Sequence, residues 1–123
     1  MRKYEFSWDL IGDVGEGRPN LGETVGVSVY RLMQYTLRDV LEQQCGTEKT
    51  DRIFYEAGKK AGAEFYQKMV GPIQTLNQFA SRLQQVLREQ RIGVLRFEDV
   101  GLDEGEVVLT IDEDLDCSGL PEL

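Results

Sequence analysis

Apolar residues recur through the middle of this chain with the period of a helix. Val29, Leu32, Met33, Thr36, Leu37, Val40 and Leu41 fall three or four apart, which predicts an amphipathic helix over 27–44. Gly46 is a stop signal and Thr47 a start signal for the next element. Ile53, Phe54, Ala57, Gly58, Ala61, Gly62, Phe65 and Met69 then predict a second helix over 48–69. Gly71-Pro72 closes that helix and opens a third, with Ile73, Leu76, Phe79, Ala80, Leu83, Val86 and Leu87 on one side, to about Gln90.

The period then changes from helical spacing to alternation. Strands are predicted over 92–100 and 106–111, joined by a turn at Leu102-Asp103-Glu104-Gly105. Val107, Leu109 and Ile111 share one face of the second strand; Val108, Thr110 and Asp112 share the other. Glycines and acids crowd 12–26, which reads as a loop or arm. Tyr4 to Leu10 is a candidate third strand. The pattern gives an α+β class: three or more helices packed on an antiparallel sheet. One domain over 1–123 is expected: an arm and Gly-rich loop over 1–26, a helical part over 27–90 and a β-hairpin over 91–116. A two-stranded hairpin is marginal by itself in water. The sheet therefore reads as incomplete at the C-terminus, the front part of a longer domain or one finished by another chain.

Charge changes the picture at one end. The net charge is −8. From Glu98 onward there are ten acidic residues and no Lys or Arg, whereas the preceding 97 residues hold twelve acids and fourteen bases. No basic face is available for direct nucleic-acid binding. No stretch is apolar enough for a membrane span, and the polar start does not read as a signal peptide, so the expected location is the cytoplasm.

The chemistry-bearing residues are few. The chain has no histidine. This excludes a Ser-His-Asp or Cys-His enzyme and removes the proximal histidine ligand of haem, so no haem is expected. Gly12, Gly15 and Gly17 do not follow the dinucleotide-binding spacing, and there is no Gly-Lys-Ser/Thr phosphate loop. The acids from Asp112 mimic a calcium loop but place Cys117 at its sixth position, where glycine is needed, and Leu123 at its twelfth, where glutamate is needed. Cys117 could be one ligand of a structural metal site, but a lone thiolate cannot hold zinc. Cys45 reads as an inert thiol near a helix end.

One arrangement could bind a ligand. Gly58 and Gly62 are mid-helix glycines, each costing about 1 kcal/mol relative to alanine. Close approach of a helix or a ligand would offset that cost. With Tyr55, Phe65, Met69, Phe79 and Phe97 they could line a dry pocket for an apolar molecule, although core packing is the plainer reading of each aromatic.

Several segments in order resemble the 4-vinyl reductase (hydrocarbon-binding) domain. They are Gly17-Arg18-Pro19-Asn20-Leu21-Gly22, Tyr30-Arg31-Leu32, Tyr55-Glu56-Ala57-Gly58-Lys59-Lys60-Ala61-Gly62, Ile92-Gly93-Val94-Leu95-Arg96-Phe97-Glu98 and Glu113-Asp114-Leu115-Asp116-Cys117-Ser118-Gly119. That family is similar in fold to the sensory domain of aromatic-responsive transcription activators and to TRAPP tethering subunits. The resemblance implies a sensor or regulatory domain that binds a hydrophobic small molecule and forms a homodimer. A dimeric scaffold is the alternative, and a subunit in tetrapyrrole vinyl reduction a lesser one. It also implies a zinc site in the full-length protein, with Cys117 as its first cysteine and the other ligands from a further segment or another chain. Two departures stand out. The phenol sensors carry a pocket histidine that this chain lacks, and the later cysteines are not in this sequence.

Overall fold

The computed structural model describes residues 2–72, 75–101 and 105–121; of residues 99 and 100 it describes the backbone alone. The α+β class expected from the pattern is what is found: helices together with a two-stranded antiparallel sheet. The chain divides into two compact units, Met1–Gly46 and Thr47–Leu123.

The N-terminal unit begins without the third strand that Tyr4 to Leu10 was a candidate for. Trp8–Ile11 is a 3₁₀ turn instead. Ser7 accepts from the Leu10 N–H at 3.0 Å, and Gly12, at φ 79°, closes the turn, so local turn chemistry overrides the apolar alternation. Helix α1 (Val14–Gly17) is a single turn, capped by the Asp13 carboxylate, which accepts from the Glu16 N–H at 2.9 Å. Gly22, at φ 74°, donates back to the Arg18 carbonyl and reverses the chain ahead of the long helix.

Helix α2 (Val27–Phe65) contains one residue with non-helical backbone, Gly46, at φ 78° and ψ 168°. That conformation is essentially restricted to glycine. The expected stop at Gly46 is therefore a break inside a longer helical run, and it coincides with the boundary between the units.

In the C-terminal unit the last turn of the run widens into a π turn over Tyr66–Val70, where the Gly71 N–H donates to the Tyr66 carbonyl at 2.7 Å. Helix α3 (Leu76–Glu89) starts at Thr75, whose hydroxyl accepts from the Gln78 N–H at 3.1 Å. Ile73, assigned to this helix from sequence, lies outside the described residues. The helix ends with Arg91 in the left-handed region at φ 58°. The Ile92 N–H there donates to the Leu87 carbonyl and the Arg91 N–H to that of Arg88, the pairing of a Schellman motif.

Strands β1 (Val94–Gly101) and β2 (Glu106–Asp112) pair antiparallel, with Leu95 opposite Ile111 and Phe97 opposite Leu109. The register slips between Phe97 and Asp99, a bulge that leaves Glu98 as the extra residue. Glu98 accepts from the Thr110 hydroxyl at 2.9 Å. Helix α3 packs on β1 and on the π turn. Arg82 donates to the Met69 carbonyl at 2.9 Å, and Gln84 to the Leu95 carbonyl at 3.1 Å. The buried apolar side chains among the described residues are Val70, Val86 and Leu95, one from each of these three elements.

Candidate functional site

The seven residues expected to line a pocket fall into two groups. Phe65, Met69, Phe79 and Phe97 are half-buried. Phe65 and Met69 bracket the start of the π turn, one helical turn apart in sequence. Phe79 projects from α3 and meets the Tyr66 ring, with centroids 6.4 Å apart and planes tilted by 45°. Phe97 lies on β1 opposite Leu109. Tyr55, Gly58 and Gly62 are exposed. The Tyr55 ring is covered from its own helix by the Lys59 ammonium, 5.4 Å from the centroid. A Cβ added at Gly58 or at Gly62 would meet nothing within 4 Å. Neither glycine is closely approached by another side chain or backbone here.

An open groove of about 430 Å³ lies elsewhere, lined by Gln84, Gln85, Arg88, Val94, Leu95 and Arg96. None of the seven residues lines it. Its walls are the polar side of α3 and the start of β1. The sequence signal was present, since Gln84 and Arg88 are one turn apart, but a polar helix face ordinarily faces solvent. Arg96 is engaged across the hairpin by Asp112 and along its own strand by Glu98, at 3.8 Å.

The sheet itself is unevenly covered. Residues directly opposite in a ladder share a face, so Leu95, Phe97, Leu109 and Ile111 form one apolar face. On β1, Leu95 is 4% exposed. Across the ladder on β2, Ile111 and Leu109 are 45% and 46% exposed, and every other residue of β2 is exposed too. Helix α3 thus dresses one strand of the pair and leaves the apolar side of the other open.

The segment after β2 is organised by Asp114. Its carboxylate accepts from the Cys117 thiol at 2.8 Å and its carbonyl from the Ser118 N–H at 3.1 Å. Cys117 is exposed; Cys45 is half-buried and belongs to the other unit. Structural zinc takes four ligands. Cys117 with Asp114 supplies two, and no cluster of three His, Cys, Asp or Glu side chains occurs among the described residues. These residues do not fit a zinc site by themselves.

No family model, no curated protein and no solved structure matches this chain. Among the described residues no helix is long and apolar enough to cross a membrane.

Proposed function

We propose that the chain is a non-catalytic, dimeric interaction module of the 4-vinyl reductase type, working through apolar surface that a second copy of the chain covers. The observation that carries this reading is the half-dressed sheet. Val107, Leu109 and Ile111 stay open beside a strand whose Leu95 is buried. Contiguous exposed apolar surface of this kind marks interaction sites. The absence of histidine supports a non-enzymatic role, since the commonest general base is missing. If the folded state is an assembly, its stability follows protein concentration by mass action. Over about a hundred-fold range this amounts to about 2.7 kcal/mol. The melting temperature, followed by circular dichroism, is expected to rise by several degrees across that range. A midpoint independent of concentration would reject the reading.

A hydrophobic small molecule is the second reading, favoured by the π turn. Such turns concentrate at functional sites. This one stands between Phe65 and the α3 face that carries Phe79. A panel of apolar and aromatic compounds, added at fixed protein concentration, is expected to raise the melting temperature if the corner accepts a ligand. A flat response across the panel would remove that reading and leave the first intact.

A further inference from the structure

The hairpin has an edge as well as a face. With the strands in the order β1-β2, β1 keeps one edge that no strand pairs among the described residues. Along an antiparallel ladder, residues alternately turn their N–H and C=O groups toward the partner strand and away from it. The Leu95 carbonyl accepts at 3.1 Å from Gln84 Nε2 on α3, which sets Leu95 among the residues that point away from β2. The opposite sense is seen at Ile92, whose carbonyl accepts from the Leu115 N–H in the segment after β2. By the two-residue period Val94 and Arg96 then face β2, and Phe97 shares the outward sense of Leu95, ahead of the bulge at Glu98. A side-chain amide thus holds one of the backbone groups that a neighbouring strand would bind.

The open groove lies between α3 and this part of β1, with Val94, Leu95 and Arg96 on one wall and Gln84, Gln85 and Arg88 on the other. Its charge is one-sided, with two arginines and no acid in the lining. Arg96 is held by Asp112 and Glu98, whereas Arg88 makes no ion pair among the described residues. The surrounding stretch is the basic part of an acidic chain. From Tyr66 to Phe97 there are five bases and one acid, a net of +4 where the whole chain carries −8. An extended polypeptide brings N–H and C=O groups at the spacing of the free edge. Carboxylates on it answer the guanidinium of Arg88.

We propose that the free edge of β1 at Leu95–Phe97 takes an extended acidic segment of another protein as an added strand, with its carboxylates beside Arg88 and Gln84 released from the Leu95 carbonyl. The bulge at Glu98 ends the pairing, because it interrupts the ladder there. This edge is on the side of β1 away from β2, so the proposal does not rest on the second copy that covers the apolar face.

The test is fluorescence anisotropy of a labelled peptide of about seven residues, alternating glutamate and valine, titrated with the whole chain at low salt. Binding is expected to saturate below about 1 mM, and a lysine–valine peptide of the same length to bind at least about tenfold more weakly. Backbone pairing has its own signature, since only every second amide of an added strand faces β1. N-methylation of one alternate set should abolish binding, and of the other set change it by no more than about twofold. Arg88→Glu should weaken binding about tenfold. Gln84→Ala should strengthen it about three- to fivefold, because a competing donor is gone from the Leu95 carbonyl. The Phe97 amide should exchange more slowly in the complex, while those of Val94 and Arg96, already turned to β2, should not change. Failure of the acidic peptide to bind, equal binding of the lysine peptide, or equal effects of the two methylation sets overturns the proposal on the unaltered chain, even if Arg88→Glu has unfolded the helix. Weaker binding by Gln84→Ala overturns it too. Slowing of Phe97 exchange with protein concentration alone would give the edge to a second copy and likewise overturns it.

Discussion

Helix α3 and the first part of α2 have apolar stripes of the same kind, and the structure treats them in opposite ways. On α3, Val86 is buried and Phe79, Ala80, Leu83 and Leu87 are half-buried. On α2, Val29, Leu32, Met33, Leu37 and Val40 are all exposed. Periodicity cannot tell these cases apart, because it reports which residues share a side and not what lies against that side. What distinguishes α3 is its surroundings. Its side chains donate to the backbone of both neighbouring elements, through Arg82 to Met69 and Gln84 to Leu95. A Schellman end then turns the chain directly into the strand it packs on. Short connections make such local docking inexpensive in loop-closure entropy.

The contrast is most easily broken by truncating one residue on each side of it. Leu95→Ala removes a buried side chain next to α3 and is expected to cost about 2–5 kcal/mol. Leu32→Ala removes an equally large side chain from the open stripe. In dilute solution, where the single chain dominates, it should change stability by no more than about 0.5 kcal/mol. Urea unfolding at low protein concentration measures both. Equal costs would show that the α2 stripe is covered within the single chain, and the contrast would disappear.

A second substitution probes how open β2 really is. Although Ile111 is exposed, one of its methyl groups lies close to Gly93 at the entry to β1. A Cβ at Gly93 would stand 2.6 Å from Ile111 Cγ2 and 3.3 Å from the Asp112 carbonyl oxygen. Gly93→Ala is therefore expected to destabilise the chain by about 1–3 kcal/mol through overpacking. Combining it with Ile111→Ala should recover part of that loss, since the two changes share the clash and are not additive. Strict additivity in the double-mutant cycle would mean that the hairpin relaxes without Ile111.

Much of this fold was legible in the residues. Gly46 announced the helix break because its backbone conformation is open to glycine and little else. The alternation from Glu106 to Asp112 announced β2, and the period of three and four announced α3. Three features were hidden. Tyr4 to Leu10 alternates like a strand, but Ser7 and Gly12 turn it locally. The π turn at Tyr66–Val70 leaves Phe65 and Met69 four apart, as in an ordinary helix, so nothing in the spacing betrays it. Arg91 adopts a left-handed conformation for which glycine would be the usual signal. Of the residues expected to line a pocket, Phe65, Met69, Phe79 and Phe97 are half-buried, while Tyr55, Gly58 and Gly62 are exposed. The small residues at Gly58 and Gly62 permitted a close approach, and permission is all that a missing side chain encodes.

Those two glycines give the finest test of the comparison between covered and open faces. Each sits within helical backbone, and each has open space where a Cβ would project. In the single chain, Gly58→Ala and Gly62→Ala should each stabilise by up to about 1 kcal/mol, the difference in helix propensity with no clash to oppose it. Thermal or urea unfolding at low concentration reads that gain directly. The informative measurement is the same pair of variants at high protein concentration and, separately, with an apolar ligand that raises the melting temperature. If a partner or ligand seats against this face, the added methyl groups stand in its way, and the gain seen in dilute solution reverses once the face is occupied. If the gain persists under both conditions, the Gly58–Gly62 face stays open in the working protein.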